Sequence, residues 1–276
     1  MSAVAKVYQK LAESTMPQLS RRSFLLHSAH RTIGVSAGLA AFQSAMRAGA
    51  APPVAAHRRP LELCLVSGSF EYHSDQSLAA LEKHLAEKYS VRCTRAFAPS
   101  EDRLPGLENL DHADCMLLFT RRLTIQGESL DRVKRFCRRG GAILGLRTAS
   151  HAFQHWLALD KEVLGGDYQG HYDNRLLPRI EVVGSQKDHP VLAGIGPFTA
   201  GGSLYKNPVV AKDVTVLLTG RIPGHTEPVA WTRLHGGGRV FYTSLGHPDD
   251  FHQPSFLKLL ANALFWAAAD KGARVP

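Results

Sequence analysis

Short strand-like runs alternate with helical patterns down the first half of the chain. The runs are LELCLVSG at 61–68, VRCTRAF at 91–97, DCMLLFT at 114–120 and AILGL at 142–146. The third is apolar through its middle, the pattern of a strand covered on both faces. Between the first two, DQSLAALEKHLAEKY (75–89) sets Leu78, Leu81 and Leu85 at helical spacing. Before the fourth, GESLDRVKRFCRRGG (127–141) is an amphipathic helix ended by glycine. Apolar strands alternating with helices leave one economical solution: a mostly parallel sheet with helices on both faces.

The second half is less regular. IEVVGS (180–185) and VTVLLTGRI (214–222) read as strands, and PVAWTRLHGGGRVFYTSLG (228–246) as a hairpin around Gly236, Gly237 and Gly238. SFLKLLANALFWAAAD (255–270) is a closing helix with Phe256, Leu260, Leu264 and Ala267 on one face. No internal repeat or linker divides residues 57–276, which read as one domain.

Residues 1–56 have another character. SRRSFLL (20–26) pairs two arginines with Phe-Leu-Leu, a weakly apolar stretch (32–46) follows, and AGAAPPVAA suits a signal-peptidase site. This is the pattern of a Tat-type export signal, which implies the Tat machinery as a partner and a periplasmic or secreted destination. The apolar stretch of about 15 residues is shorter than the ~20 that span a bilayer, so no permanent membrane anchor is expected. The segment also explains the formal charge of +9. It holds six Lys/Arg and one acid; the remainder has 27 basic and 23 acidic residues, a net +4, with no long basic run. Nucleic-acid binding is therefore not expected.

The cysteines, Cys64, Cys93, Cys115 and Cys137, show neither close pairs nor metal-ligand spacing. They read as buried thiols acting as small hydrophobic groups.

In a doubly wound sheet, ligands bind beyond the carboxyl ends of the strands. The segments expected there are polar. SGSFEYHSDQS carries Tyr72 and His73; RTASHAF carries Arg147 and His151; GGDYQGHYDN, after the next helix, carries Asp167 and His171; SLGHPDDFHQP carries His247 and Asp249. Ser74 with Asp75, and Asp249 with Asp250, can equally be helix or turn caps. Four histidines at strand ends suggest one shared site. Imidazoles with carboxylates suit either a divalent metal ion, with His73, His151, His171 and His247 as candidate ligands, or acid–base work on a polar substrate. No HExxH spacing singles out the metal. There is no P-loop, no G-x-G-x-x-G after the first strand and no G-x-S-x-G elbow, which disfavours nucleotide binding and an α/β-hydrolase triad. The glycine pairs at 140–141, 165–166 and 201–202 read as turn and cap glycines.

GLRTASHAF (145–153), LGGDYQGHYDN (164–174), DHPVLAGI (188–195), SLYKNP (203–208), PVAWTRLHGGGRVFYTSLGHPDDF (228–251) and LLANALFWAA (259–268) resemble the ThuA-like, trehalose-utilisation family over roughly residues 61–270. The resemblance implies a class I glutamine amidotransferase-like fold, a flavodoxin-type α/β sandwich. In amidotransferases the turn after a central strand holds a catalytic cysteine; here it reads Arg147-Thr148-Ala149, so glutaminase activity is not expected. Many relatives place a His near the position of Arg147, whereas the nearest here is His151. The resemblance also implies a small carbohydrate as ligand, with oxidised sugars carrying a ketone at C3 as substrates. Catalytic candidates are His73, Arg147, His151, His171 and His247, with Tyr72, Asp167, Tyr205, Trp231 and Asp249 against the sugar. A non-catalytic carbohydrate-binding module and a metal-dependent hydrolase of another small polar substrate are the alternatives.

Overall fold

The computed structural model describes residues 59–269. The expected export segment, residues 1–56, lies outside them. Nine strands form one sheet: β1 (Leu61–Gly68), β2 (Val91–Phe97), β3 (Cys115–Thr120), β4 (Ala142–Leu146), β5 (Arg179–Val182), β6 (Phe198–Thr199), β7 (Thr215–Ile222), β8 (His225–His235) and β9 (Gly238–Thr243). Their order is β2-β1-β3-β4-β9-β8-β7-β5-β6. The first five are parallel neighbours, in the flavodoxin-like order 2-1-3-4-5 with β9 in fifth place. From β9 onward every pairing is antiparallel. The sheet is thus mixed, and the expectation of a mostly parallel sheet is corrected. The reason is local: β7, β8 and β9 are joined by short turns, which permit only antiparallel neighbours.

Helices α1 (Ser74–Lys88) and α3 (Pro254–Ala268) cover one face, and α2 (Gly127–Arg138) the other. Strand alternation sorts the two cores. Leu63, Leu65, Leu117 and Leu144 face α1 and α3, while Cys64, Val66, Met116 and Ile143 face the α2 side. Leu78, Leu81 and Leu85 are the buried stripe of α1, as their spacing requires. Cys64, Cys115 and Cys137 are buried and Cys93 half-buried. The hairpin turn at Gly236 and Gly237 has positive φ at both residues, which glycine adopts without strain. It also packs on the end of α2: a Cβ at Gly140 would come 2.5 Å from the Gly236 carbonyl oxygen.

Two expectations fail locally. Ser74 and Asp75 make no side-chain cap on α1; the Ser74 hydroxyl instead accepts the Ser69 N–H and bonds Ser67. No long helix separates β4 from residue 165, only short turns at Arg147–His151 and Asp160–Leu164.

Candidate functional site

Three non-glycine residues have left-handed backbone among the described residues: His73 (φ 44°), Arg122 (φ 48°) and Arg147 (φ 44°). Each follows the carboxyl end of a parallel strand, β1, β3 and β4. Such backbone costs on the order of 1–3 kcal/mol per residue and survives only where the surroundings over-determine it. At Arg147 the braces are visible. The Tyr242 hydroxyl donates to its carbonyl at 2.8 Å and the Ser150 hydroxyl at 3.3 Å. Next to it, the Thr148 hydroxyl donates to Ser69 Oγ at 3.0 Å, tying the turn after β4 to the loop after β1.

The Arg147 side chain is only 2% exposed. Nη1 donates to the Ser244 carbonyl at 3.0 Å, and Nη2 to the Tyr72 hydroxyl at 3.2 Å and Ser203 Oγ at 3.5 Å. Its Nε has no hydrogen-bond partner. The guanidinium lies 4.4 Å from the Tyr72 ring centre and 4.8 Å from that of Tyr205, within cation–π range. Burial works against its charge, but Tyr205, Tyr72 and Asp250 around it more than offset this and raise its pKa. Among the described residues no carboxylate forms an ion pair with it. Asp250, fully buried, is saturated by backbone: Oδ1 accepts the Gly201 N–H at 2.7 Å, and Oδ2 the Gly246 and His247 N–H groups at 2.8 and 2.9 Å.

Arg147 lines a cavity of about 380 Å³ with Glu71, Tyr72, His73, Asn174, Gly201, Gly202, Ser203, His247 and Pro248. Surface grooves of similar volume lie beside Phe136 and at the Arg221–Thr226 turn. They contain none of the buried polar atoms that lack a partner, which among the described residues belong to Thr120, Arg147 and Asp160. Within the cavity, His247 Nδ1 accepts the Asp249 N–H at 3.3 Å and lies 3.4 Å from Asp249 Oδ2. Accepting at Nδ1 puts the proton of the neutral ring on Nε2; the other tautomer turns an Nδ1–H toward Asp249 Oδ2 and leaves Nε2 free to take a proton. On the rim, Glu71 pairs with Arg121 at 3.0 Å.

The structure thus brings Tyr72, His73, Arg147 and His247 together, with Asp249 behind His247 and Tyr205 beneath Arg147. His151 is buried beside them. Its ring stacks on Tyr168 with centres 4.4 Å apart, and Nδ1 lies 3.0 Å from Ser150 Oγ. Burial, with Arg122, Arg121 and Arg147 nearby, pushes its pKa down to about 3, so it stays neutral. His171 is exposed, bonded to the Tyr172 carbonyl and bridged to Tyr205 through backbone. Asp167 pairs with Lys161 at 3.2 Å. Trp231 is a core residue, 0% exposed, its Nε1 donating to the Leu164 carbonyl at 2.7 Å; it has no face to offer a sugar. Among the described residues no three His, Cys, Asp or Glu side chains gather as metal ligands, so the four histidines do not fit a shared divalent ion.

Sequence reasoning missed Ser203, Asn174 and the role of the glycine pair at 201–202. Gly201 and Gly202 are not simple turn glycines. A Cβ at Gly202 would fall 2.7 Å from Arg147 Nη2, and one at Gly201 3.1 Å from His247 Nδ1. The only sequence signal was the pair itself, directly before SLYKNP.

A family model described as ThuA, trehalose utilisation, matches residues 63–267. No curated protein matches. Solved structures share the fold at low identity. A ThuA-like protein from Bacteroides uniformis is 19% identical, with 79% of this chain and 95% of that one covered and a TM-score of 0.59. Another from Parabacteroides merdae is 16% identical, with coverage of 79% and 94% and a TM-score of 0.60. A cytoplasmic protein from Salmonella typhimurium is 16% identical, with coverage of 75% and 99% and a TM-score of 0.52.

Proposed function

The chain belongs to the ThuA, or trehalose utilisation, family, and from that premise we propose that it converts oxidised sugars by acid–base chemistry in the strand-end cavity. One observation carries the reading. A buried guanidinium without a carboxylate partner shares a cavity with two histidines, one of them held by a carboxylate. Loss of a proton from the carbon beside a carbonyl needs a base of near-neutral pKa and a positive group for the oxygen that gains charge. His247 is the base. The electron pair of the broken C–H bond moves into the carbonyl, and Arg147 with the Tyr72 hydroxyl meets the resulting enolate oxygen. Collapse of the enolate expels the substituent at C1, and His73 supplies the proton its oxygen takes. For a glycoside with a ketone at C3, the proton lost is that at C2. No thiol is needed, in keeping with an arginine where a nucleophile would sit.

The test is proton exchange in D₂O. The protein is incubated with 3-keto-glucosides and with uronic acids, and deuterium entering beside the carbonyl is followed by NMR. Exchange or cleavage that disappears in His247→Asn supports the reading. Absence of both from the folded protein, with every oxidised sugar, overturns it in favour of a binding module.

We also propose that the protein is exported. The support is the twin arginines Arg21 and Arg22 followed by a short apolar stretch. Lysine at both positions is expected to leave the chain in the cytoplasm on cell fractionation.

A further inference from the structure

The charge state of the cavity says more than that a sugar binds there. Arg147 brings a full positive charge to a site where it is 2% exposed. A buried cation without a paired, hydrogen-bonded anion is costly, and proteins rarely leave one so. The neighbouring carboxylates are committed elsewhere. Asp250 holds three backbone N–H groups with its two oxygens, and Glu71 pairs with Arg121. The neutral partners of Arg147 are one carbonyl and two hydroxyls, the hydroxyl contacts being the long ones at 3.2 and 3.5 Å. Nε has none. A hydroxyl accepts weakly here and can turn its own proton to a ligand instead. The side of the guanidinium formed by Nε and Nη2 is therefore a fork with one prong empty and the other loosely held, and a fork of two parallel N–H groups matches a carboxylate.

We infer that the occupant of this cavity is a sugar acid, whose carboxylate seats on the Nε and Nη2 edge of Arg147. This rests on the reading of the cavity as a site for oxidised sugars and narrows it: the oxidised sugar that fits carries a carboxylate. Because Tyr72 lies over the guanidinium and its hydroxyl occupies Nη2, seating the carboxylate shifts that side chain and frees its hydroxyl to donate to the ligand. The charge Arg147 then meets is present before any chemistry. A proton lost from the carbon bearing the carboxylate places further charge on the same oxygens.

The experiment is titration calorimetry on the full chain at pH 7 with four probes: D-glucuronate, D-glucose, a methyl 3-keto-glucoside and inorganic phosphate. Glucuronate should bind at least about ten-fold more tightly than glucose or the keto-glucoside, a difference of about 1.4 kcal/mol. Its affinity should also fall as salt rises from 0.05 to 0.5 M (about ten-fold). Arg147→Lys, which keeps the charge and loses the fork, should lose most of this preference, and Arg147→Met all of it. The wild-type comparison stands alone if either variant fails to fold. Equal binding of glucuronate and glucose, or tighter binding of the keto-glucoside, overturns the inference and leaves the oxidised-sugar reading standing. Phosphate binding more tightly than glucuronate overturns the carboxylate assignment. No binding by any probe overturns both readings.

Discussion

The Arg147 guanidinium carbon lies over the Tyr72 ring, 4.4 Å from its centre, with Nη2 3.2 Å from the hydroxyl. One side chain thus gives the buried cation both a π-face and an acceptor. The two contributions separate by substitution. Tyr72→Phe keeps the face and removes the hydroxyl; it should cost under about 1.5 kcal/mol of stability and lower turnover of an oxidised sugar by about ten-fold or more. Tyr72→Ala removes both and should cost about 1–3 kcal/mol more through lost packing and cation–π contact. Paired thermal melts and rate measurements distinguish the two.

Asp250 organises the wall opposite. Its carboxylate ties the Gly201 N–H to those of Gly246 and His247, so one side chain fixes the glycine loop over Arg147 and the entry to the His247 turn. Asp250→Asn replaces one acceptor oxygen with a donor facing a donor. With charged hydrogen bonds worth roughly 1.5–3 kcal/mol each, a loss of about 2–4 kcal/mol is expected. That is about 4–16 °C in melting temperature for a domain of this size. An unchanged Tm would show that the loop is held by something else.

How far this was legible in the sequence depends on what each residue signals. Strands β1 and β4 fall where their runs of residues end, because strands covered on both faces are nearly continuous in apolar residues, whereas β2, at the sheet edge with Arg92 and Arg95 exposed, is marked by its place in the alternation. The antiparallel half was harder. Strand β8 begins at His225, before the apolar PVAW, because HTE pairs with β7 through backbone alone. Strand β5 and the edge strand β6 bury little, so their residues carry little pattern. At the site, polar residues beyond β1, β4 and β9 were readable from their place in the alternation. His171 and Asp167 were drawn in wrongly. The segment from 164 to 174 runs as an extended bridge beside 205–209, which turns His171 outward. Beyond their pairing, Gly201 and Gly202 carried no signal, because a glycine does not announce what packs on it.

His247 and Asp249 should differ sharply in their effect on rate. His247→Asn keeps an acceptor for the Asp249 N–H, so the turn should fold, yet the variant has no base; turnover should fall about 10²–10⁴-fold. Asp249 is exposed and only orients the ring. Its change to Ala should lower kcat less than about ten-fold and leave the melting temperature unchanged. Equal losses in the two variants would mean that the carboxylate, not the imidazole, takes the proton.

Two buried groups make opposite demands on pH. Burial raises the Asp160 pKa to about 7, against the pull of the Tyr168 N–H on its Oδ2; Asp167 adds to the rise and Lys161 opposes it. The folded protein therefore holds a proton that the unfolded chain, titrating near 3.8, has released. Stability from Asp160 is full below about pH 4 and is lost as pH rises toward 7, by roughly 4 kcal/mol at most. His151 works the other way. Its folded pKa of about 3 lies below the ordinary 6.5, so the unfolded chain binds the extra proton, and stability from His151 is lost as pH falls below 6.5. Between about pH 4 and 6.5 the two slopes oppose each other. Urea unfolding at several pH values should therefore show Asp160→Asn weakening on acidification relative to wild type. His151→Gln should weaken, relative to wild type, as pH rises from 4 to 7. Parallel curves for wild type and both variants would mean that neither group titrates out of register on folding.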